Sequence, residues 1–97
     1  MIEPAESLPA GLVAYKRTAL FDEDSMPAGL RHEHHTKSGV WGLIQVVEGQ
    51  LLYRVLDPFG EQTLTPDHPG IVRPEQRHEV APLGPVKFFV EFYRNAS

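Results

Sequence analysis

The chain has 97 residues, of which 41% are hydrophobic and 23% charged, with no cysteine and a net charge of −4 when histidine is neutral. That length and apolar content suit one globular domain around a single core and argue against disorder. The negative balance excludes a phosphate-neutralising surface, so nucleic acid is not an expected partner, and the absence of thiols leaves only imidazole and carboxylate to hold any metal.

Met1 to Gly11 carries Pro4 and Pro9 and reads as an N-terminal arm, ahead of a domain over residues 12–97. The arm has neither a basic start nor an apolar run, and nothing later approaches a membrane span, so an unprocessed, soluble, cytoplasmic chain with no membrane contact is expected. Leu12 to Arg17, LVAYKR, is the first strand; it is apolar on both faces until Lys16, and its polar end marks it as an edge. A strand apolar on both faces needs cover on both, which predicts a homodimer using this strand and the arm. Thr18 to Gly29 follows as an acidic loop, in which Asp22, Glu23 and Asp24 read as solvated groups because adjacent carboxylates in a loop share no fixed direction.

His32 to Gly49, HEHHTKSGVWGLIQVVEG, concentrates three of the five histidines and then runs into an apolar segment. If the segment is extended, His32 and His34 lie on one face and His35 on the other. His78, far along in RPEQRHEV, is the histidine that a second strand could bring to the same place. Val40 to Val47 and Leu51 to Leu56 are two strand-like runs, and Glu48-Gly49-Gln50 predicts a tight hairpin between them.

Asp57-Pro58-Phe59-Gly60 and Pro66-Asp67-His68-Pro69-Gly70 are turns by composition, with short strands over Gln62 to Thr65 and Ile71 to Arg73. Pro74 opens the loop that presents His78, while His68 reads as a solvent-facing turn residue. After Pro82, Gly84 and Pro85 comes VKFFVEFY, with Phe88, Val90 and Phe92 on one face and Phe89, Glu91 and Tyr93 on the other. Glu91 is thus a carboxylate among aromatics: turned inward it requires a metal, Arg73 or a histidine, and turned outward it meets water. Trp41, Tyr53, Phe88 and Phe92 read as core or pocket wall. Many short strands with nine prolines and eight glycines between them predict an all-β sandwich or barrel.

Taken in order, YKRT from Tyr15, PAGL from Pro27, H-x-TK-x-GVWG from His34 to Gly42, VVEGQLLY to Tyr53, P-x-x-x-HEV to Val80 and VEFY to Tyr93 resemble the TehB/YeaR-like cupin domain. The resemblance covers nearly the whole chain from Tyr15. It implies a small single-domain cupin-type double-stranded β-helix, or jelly-roll barrel, and links to stress-related proteins and tellurite-resistance methyltransferases. It also implies a pocket holding a divalent metal (zinc, nickel, iron, copper or manganese) and a small-molecule or oxyanion ligand of tellurite or nitrosative stress. The metal ligands expected are His32, His34, His78 and Glu91, with Lys37, Trp41 and Glu75 around the ligand pocket. Two positions depart from the cupin pattern: Gly42 stands where motif one places its glutamate, and Glu79, Val80, Ala81 and Pro82 follow His78 without the asparagine of many second motifs. Glu91 and Glu75 therefore compete to replace the missing carboxylate. The methyltransferase part of the family, with its Gly-rich loop, has no counterpart in these residues, so S-adenosylmethionine chemistry is not expected. No nucleophile with an attendant base stands out. A binding or sensing module without metal and a purely structural dimerisation domain are the competing readings.

Overall fold

Two long strands, β3 (Trp41–Leu56) and β6 (His78–Asn95), run antiparallel along most of their lengths and set the shape of the protein. The computed structural model describes residues 8–27, 36–56 and 59–95. The outer edge of β6 takes β1 (Leu12–Arg17) and the short β2 (Phe21–Asp22); the outer edge of β3 takes β4 (Phe59–Leu64) and β5 (Gly70–Val72). The sheet order is therefore β1-β6-β3-β4, all antiparallel, with β2 on β6 and β5 on β3. The all-β single-domain architecture is the expected one. Among the described residues, however, β1 and β4 do not pair with each other, so the sheet does not close into a barrel. These residues include no helix long and apolar enough to cross a membrane.

The hairpin expected at Glu48-Gly49-Gln50 is not formed. β3 continues through it as one strand of 16 residues, with register shifts against β6 between Val46 and Glu48 and between Gly49 and Leu51. Gly49 has φ +83, which a hairpin turn and a β-bulge both favour, so the glycine alone does not separate the two. A Cβ on Gly49 would lie 2.1 Å from the Pro85 carbonyl oxygen, so this bulge also needs the glycine for close backbone approach. The bulge shifts the phase of burial. Gly42, Ile44 and Val46 point inward before it, and Leu51 and Tyr53 after it, so both halves of β3 present an apolar face to the same core. The break expected at Pro82 to Pro85 in β6 is likewise an irregularity inside one strand of 18 residues, opposite the β3 bulge.

The bulges let the sheet fold over on itself. The Tyr53 hydroxyl donates to the Ile71 carbonyl oxygen at 2.8 Å, yet Ile71 pairs with Leu43, ten residues before Tyr53 on β3. Ten extended residues span about 33 Å, a distance that one side chain crosses only if the strand bends back. Leu51, Tyr53, Leu64, Val86 and Phe88 are buried at the junction of the two halves. Gly70 lets them meet there, since a Cβ would press against Leu64 and Tyr53.

Leu12 to Arg17 forms the edge strand expected of it. The acidic loop hides one missed strand, β2, whose Asp22 accepts backbone N–H bonds from Asp24 and Ser25 at 2.8 and 2.7 Å. The Ser25 and Asp24 amides hold its carboxyl below the usual carboxylate range. Glu23 accepts from the Val86 amide at 3.0 Å, so these carboxylates tie the loop to β6.

Candidate functional site

Among the described residues, His78 is the one predicted site residue that the structure places in a cavity. The cavity, of about 230 Å³, lies between the folded halves of the sheet. Gly42 and Ile44 of β3, Val72 of β5, and His78, Val80, Phe88, Val90 and Phe92 of β6 form its walls, together with Thr18, Phe21, Pro27 and Thr36. The period-2 phase of β6 explains the set: His78, Val80, Phe88, Val90 and Phe92 are all even-numbered and all face inward.

Backbone contacts position His78. The loop from Arg73 turns through a bond from the Gln76 amide to the Arg73 carbonyl at 3.2 Å, with Glu75 at φ 60, and the Leu56 amide bonds the Arg77 carbonyl at 3.0 Å. His78 then opens β6 opposite Val55. Its Nδ1 lies 3.1 Å from the Gln76 carbonyl oxygen, an acceptor only, so Nδ1 carries the proton in this contact. Its ring stands edge-on to Tyr53, with centroids 5.8 Å apart. The side chain is 4% exposed.

Glu91 is elsewhere. It lies on the opposite face of β6 from His78, with Arg17 Nη2 at 2.8 Å, a hydrogen bond from the Gln45 amide, and the Tyr93 hydroxyl at 3.5 Å. The Arg17 hydrogen bond holds its carboxyl below the usual range against the opposing effect of burial, and the Gln45 bond adds to it. Burial and the neighbouring Glu91 charge push the Tyr93 hydroxyl up. Among the described residues, the cation that a half-buried Glu91 meets is thus Arg17, not Arg73. The reason is the strand period, which sets residues 78 and 91 on opposite faces.

Lys37, Trp41 and Glu75 do not line the cavity either. Lys37 and Glu75 are exposed, and Trp41 is half-buried on the outer face with the Arg73 guanidinium 5.9 Å over its ring. Their neighbours Thr36 and Gly42 line the cavity instead. The signal that marks Gly42 was present in the alternation, where Gly42 shares phase with Ile44 and Val46 and Trp41 does not. His68 is exposed as expected, with Nε2 2.9 Å from the Gln62 amide oxygen. His32, His34 and His35 lie outside the described residues.

The TehB-like domain family matches residues 16–90. Two proteins of Haemophilus influenzae, from strains Rd and 10810, each named as a probable S-adenosyl-L-methionine-dependent methyltransferase TehB, are 32% and 31% identical over 77 residues. The matched region is 74% of this chain, and the chain spans 27% of the length of these relatives. The crystal structure of TehB from H. influenzae superposes with a TM-score of 0.81 at 27% identity, over 89% of this chain and 32% of that one. A crystal structure of an Escherichia coli K12 protein superposes with a TM-score of 0.88 at 18% identity, over 95% of this chain and 99% of that one; this likeness is one of fold.

Proposed function

The chain belongs to the TehB-like domain family, and from that premise we propose that it is a small-molecule binding module whose site is the cavity ending at His78. The observation that supports this is the cavity itself: about 230 Å³ of room inside a domain of 97 residues, whose described wall is apolar side chains with one imidazole among them. Binding sites have this make-up, an apolar wall with few polar groups. A link to tellurite, other oxyanion or nitrosative stress belongs to the same proposal as an association with the response, not as binding of the anion in this cavity. The methyl transfer for which the relatives are named belongs to proteins of which this chain spans about a quarter, and in this reading the domain supplies recognition.

Xenon serves as the test, since apolar cavities admit it. Under xenon pressure the Ile44, Val72, Val80 and Val90 methyl resonances are expected to shift, and Ile44→Phe, which fills the space, is expected to abolish the shifts. Unchanged methyl signals in the parent protein would overturn the reading.

A second reading, a divalent metal held by His78 with His32 and His34, is favoured by one observation. A histidine that binds metal through one ring nitrogen commonly donates the other N–H to a carbonyl or carboxylate, as Nδ1 of His78 does to Gln76. The described residues alone do not fit a metal. They include no group of three His, Cys, Asp or Glu side chains able to hold one, and Glu91 is on the wrong face. Elemental analysis of untagged protein tests this reading: bound metal that drops in both His34→Ala and His78→Ala supports it, and full retention in both overturns it.

A further inference from the structure

The described wall of the cavity is nearly without charge. Among the described residues no Asp, Glu, Lys or Arg lines it. Its two hydroxyls are committed to the backbone: Thr18 Oγ1 donates to the Ala19 carbonyl at 2.9 Å and accepts from the Val90 amide at 3.0 Å, and Thr36 Oγ1 donates to the Val40 carbonyl at 2.8 Å. Two neighbouring cations are engaged on the outside of the sheet, Arg17 with Glu91 and the Phe89 ring and Arg73 over Trp41, and Lys16 Nζ stands 5.9 Å from the centroid of the Phe92 ring.

On the binding reading above, we propose that this cavity selects a neutral, mostly apolar molecule about the size of a single substituted ring, and that it rejects oxyanions. Size follows from volume. An apolar cavity of about 150 Å³ is enough for benzene, so about 230 Å³ admits one ring with a short substituent. Polarity follows from the wall. An inorganic oxyanion or a carboxylate brings several strongly hydrated oxygens, and most of them would face the methyl and phenyl groups of Ile44, Val72, Val80, Phe88 and Val90. An ionised group moved from water into such surroundings loses hydration that the one imidazole of the described wall cannot restore. A neutral ring loses little hydration there and gains dispersion contacts with Phe21, Phe88 and Phe92.

Three probes test this on the full chain with the same methyl resonances: benzyl alcohol, benzoate and tellurite. The first two share a ring and differ in charge. Benzyl alcohol is expected to shift the Ile44, Val72, Val80 and Val90 signals with an affinity at least about tenfold above that of benzoate, and tellurite is expected to leave them unchanged. Benzoate or tellurite binding there as tightly as benzyl alcohol overturns the proposal. If xenon enters but benzyl alcohol does not bind, the ring-sized neutral ligand is overturned while the binding reading stands. If xenon is excluded as well, both fail.

Discussion

At the scale of single residues, Glu91 shows how a carboxylate is accommodated on a half-covered face. Its bonds from Arg17, Gln45 and Tyr93 favour the charged form, and its carboxyl titrates lower in the folded chain than in the unfolded one. A group with a depressed folded value contributes stability above its unfolded value, about 4.3 for glutamate, and that stability is lost as pH falls through the folded value. Glu91→Gln keeps the shape and removes the charge. Urea unfolding at neutral pH is expected to show a loss of about 1 kcal/mol, and the gap between parent and variant is expected to narrow as the pH is taken below about 4. A constant gap across that range would mean that the Arg17 pair contributes nothing. His78, by contrast, is placed by backbone geometry, through its contact with Gln76 and its position opposite Val55.

At the scale of elements, the fold turns on the bulge in the middle of β3. Gly49 combines φ +83 with the Pro85 carbonyl 2.1 Å from where a Cβ would stand, whereas Gly11 has a similar φ of +87 and nothing within 4 Å. The pair separates backbone strain from crowding. Gly11→Ala is expected to cost about 1 kcal/mol from the left-handed conformation alone. Gly49→Ala is expected to cost about 3 kcal/mol or more, because β3 and β6 must also part. Equal costs in denaturant unfolding would show that the approach of Pro85 is not what requires glycine. The run Glu48-Gly49-Gln50 reads equally well as a hairpin because the composition of a two-strand turn and of a bulge is the same. What decides between them is the partner: β6 is long enough to pair with both halves of β3.

At the scale of the whole molecule, β1 is the terminal strand of the sheet, and Val13 and Tyr15 on it are 45% and 41% exposed. Apolar surface on an edge strand is the kind that pairing covers, and the homodimer proposed from LVAYKR places a second copy there. Light scattering at micromolar concentration is expected to give twice the chain mass of 10.9 kDa. Tyr15→Pro, which removes a backbone donor from the edge, is expected to shift the population to the single-chain mass. A parent protein that already scatters at 10.9 kDa overturns the dimer.

Taken alone, the sequence determined the strand character of Leu12 to Arg17, Leu51 to Leu56 and Val86 to Tyr93, the edge position of the first, the face shared by Phe88, Val90 and Phe92, and the turn at Pro66 and Asp67. Each rests on period-2 alternation or on local turn chemistry, which neighbours within a few residues dictate. The tertiary structure alone decided that β3 passes through Gly49, that Glu91 meets Arg17, and that Thr36 lines the cavity where Lys37 was expected. Those outcomes depend on pairings between residues 74 apart, as for Arg17 and Glu91, or on a bulge that inverts the phase of burial along β3. No pattern within one strand encodes which distant backbone will lie against it, and a shift of one residue carries every side chain to the other face.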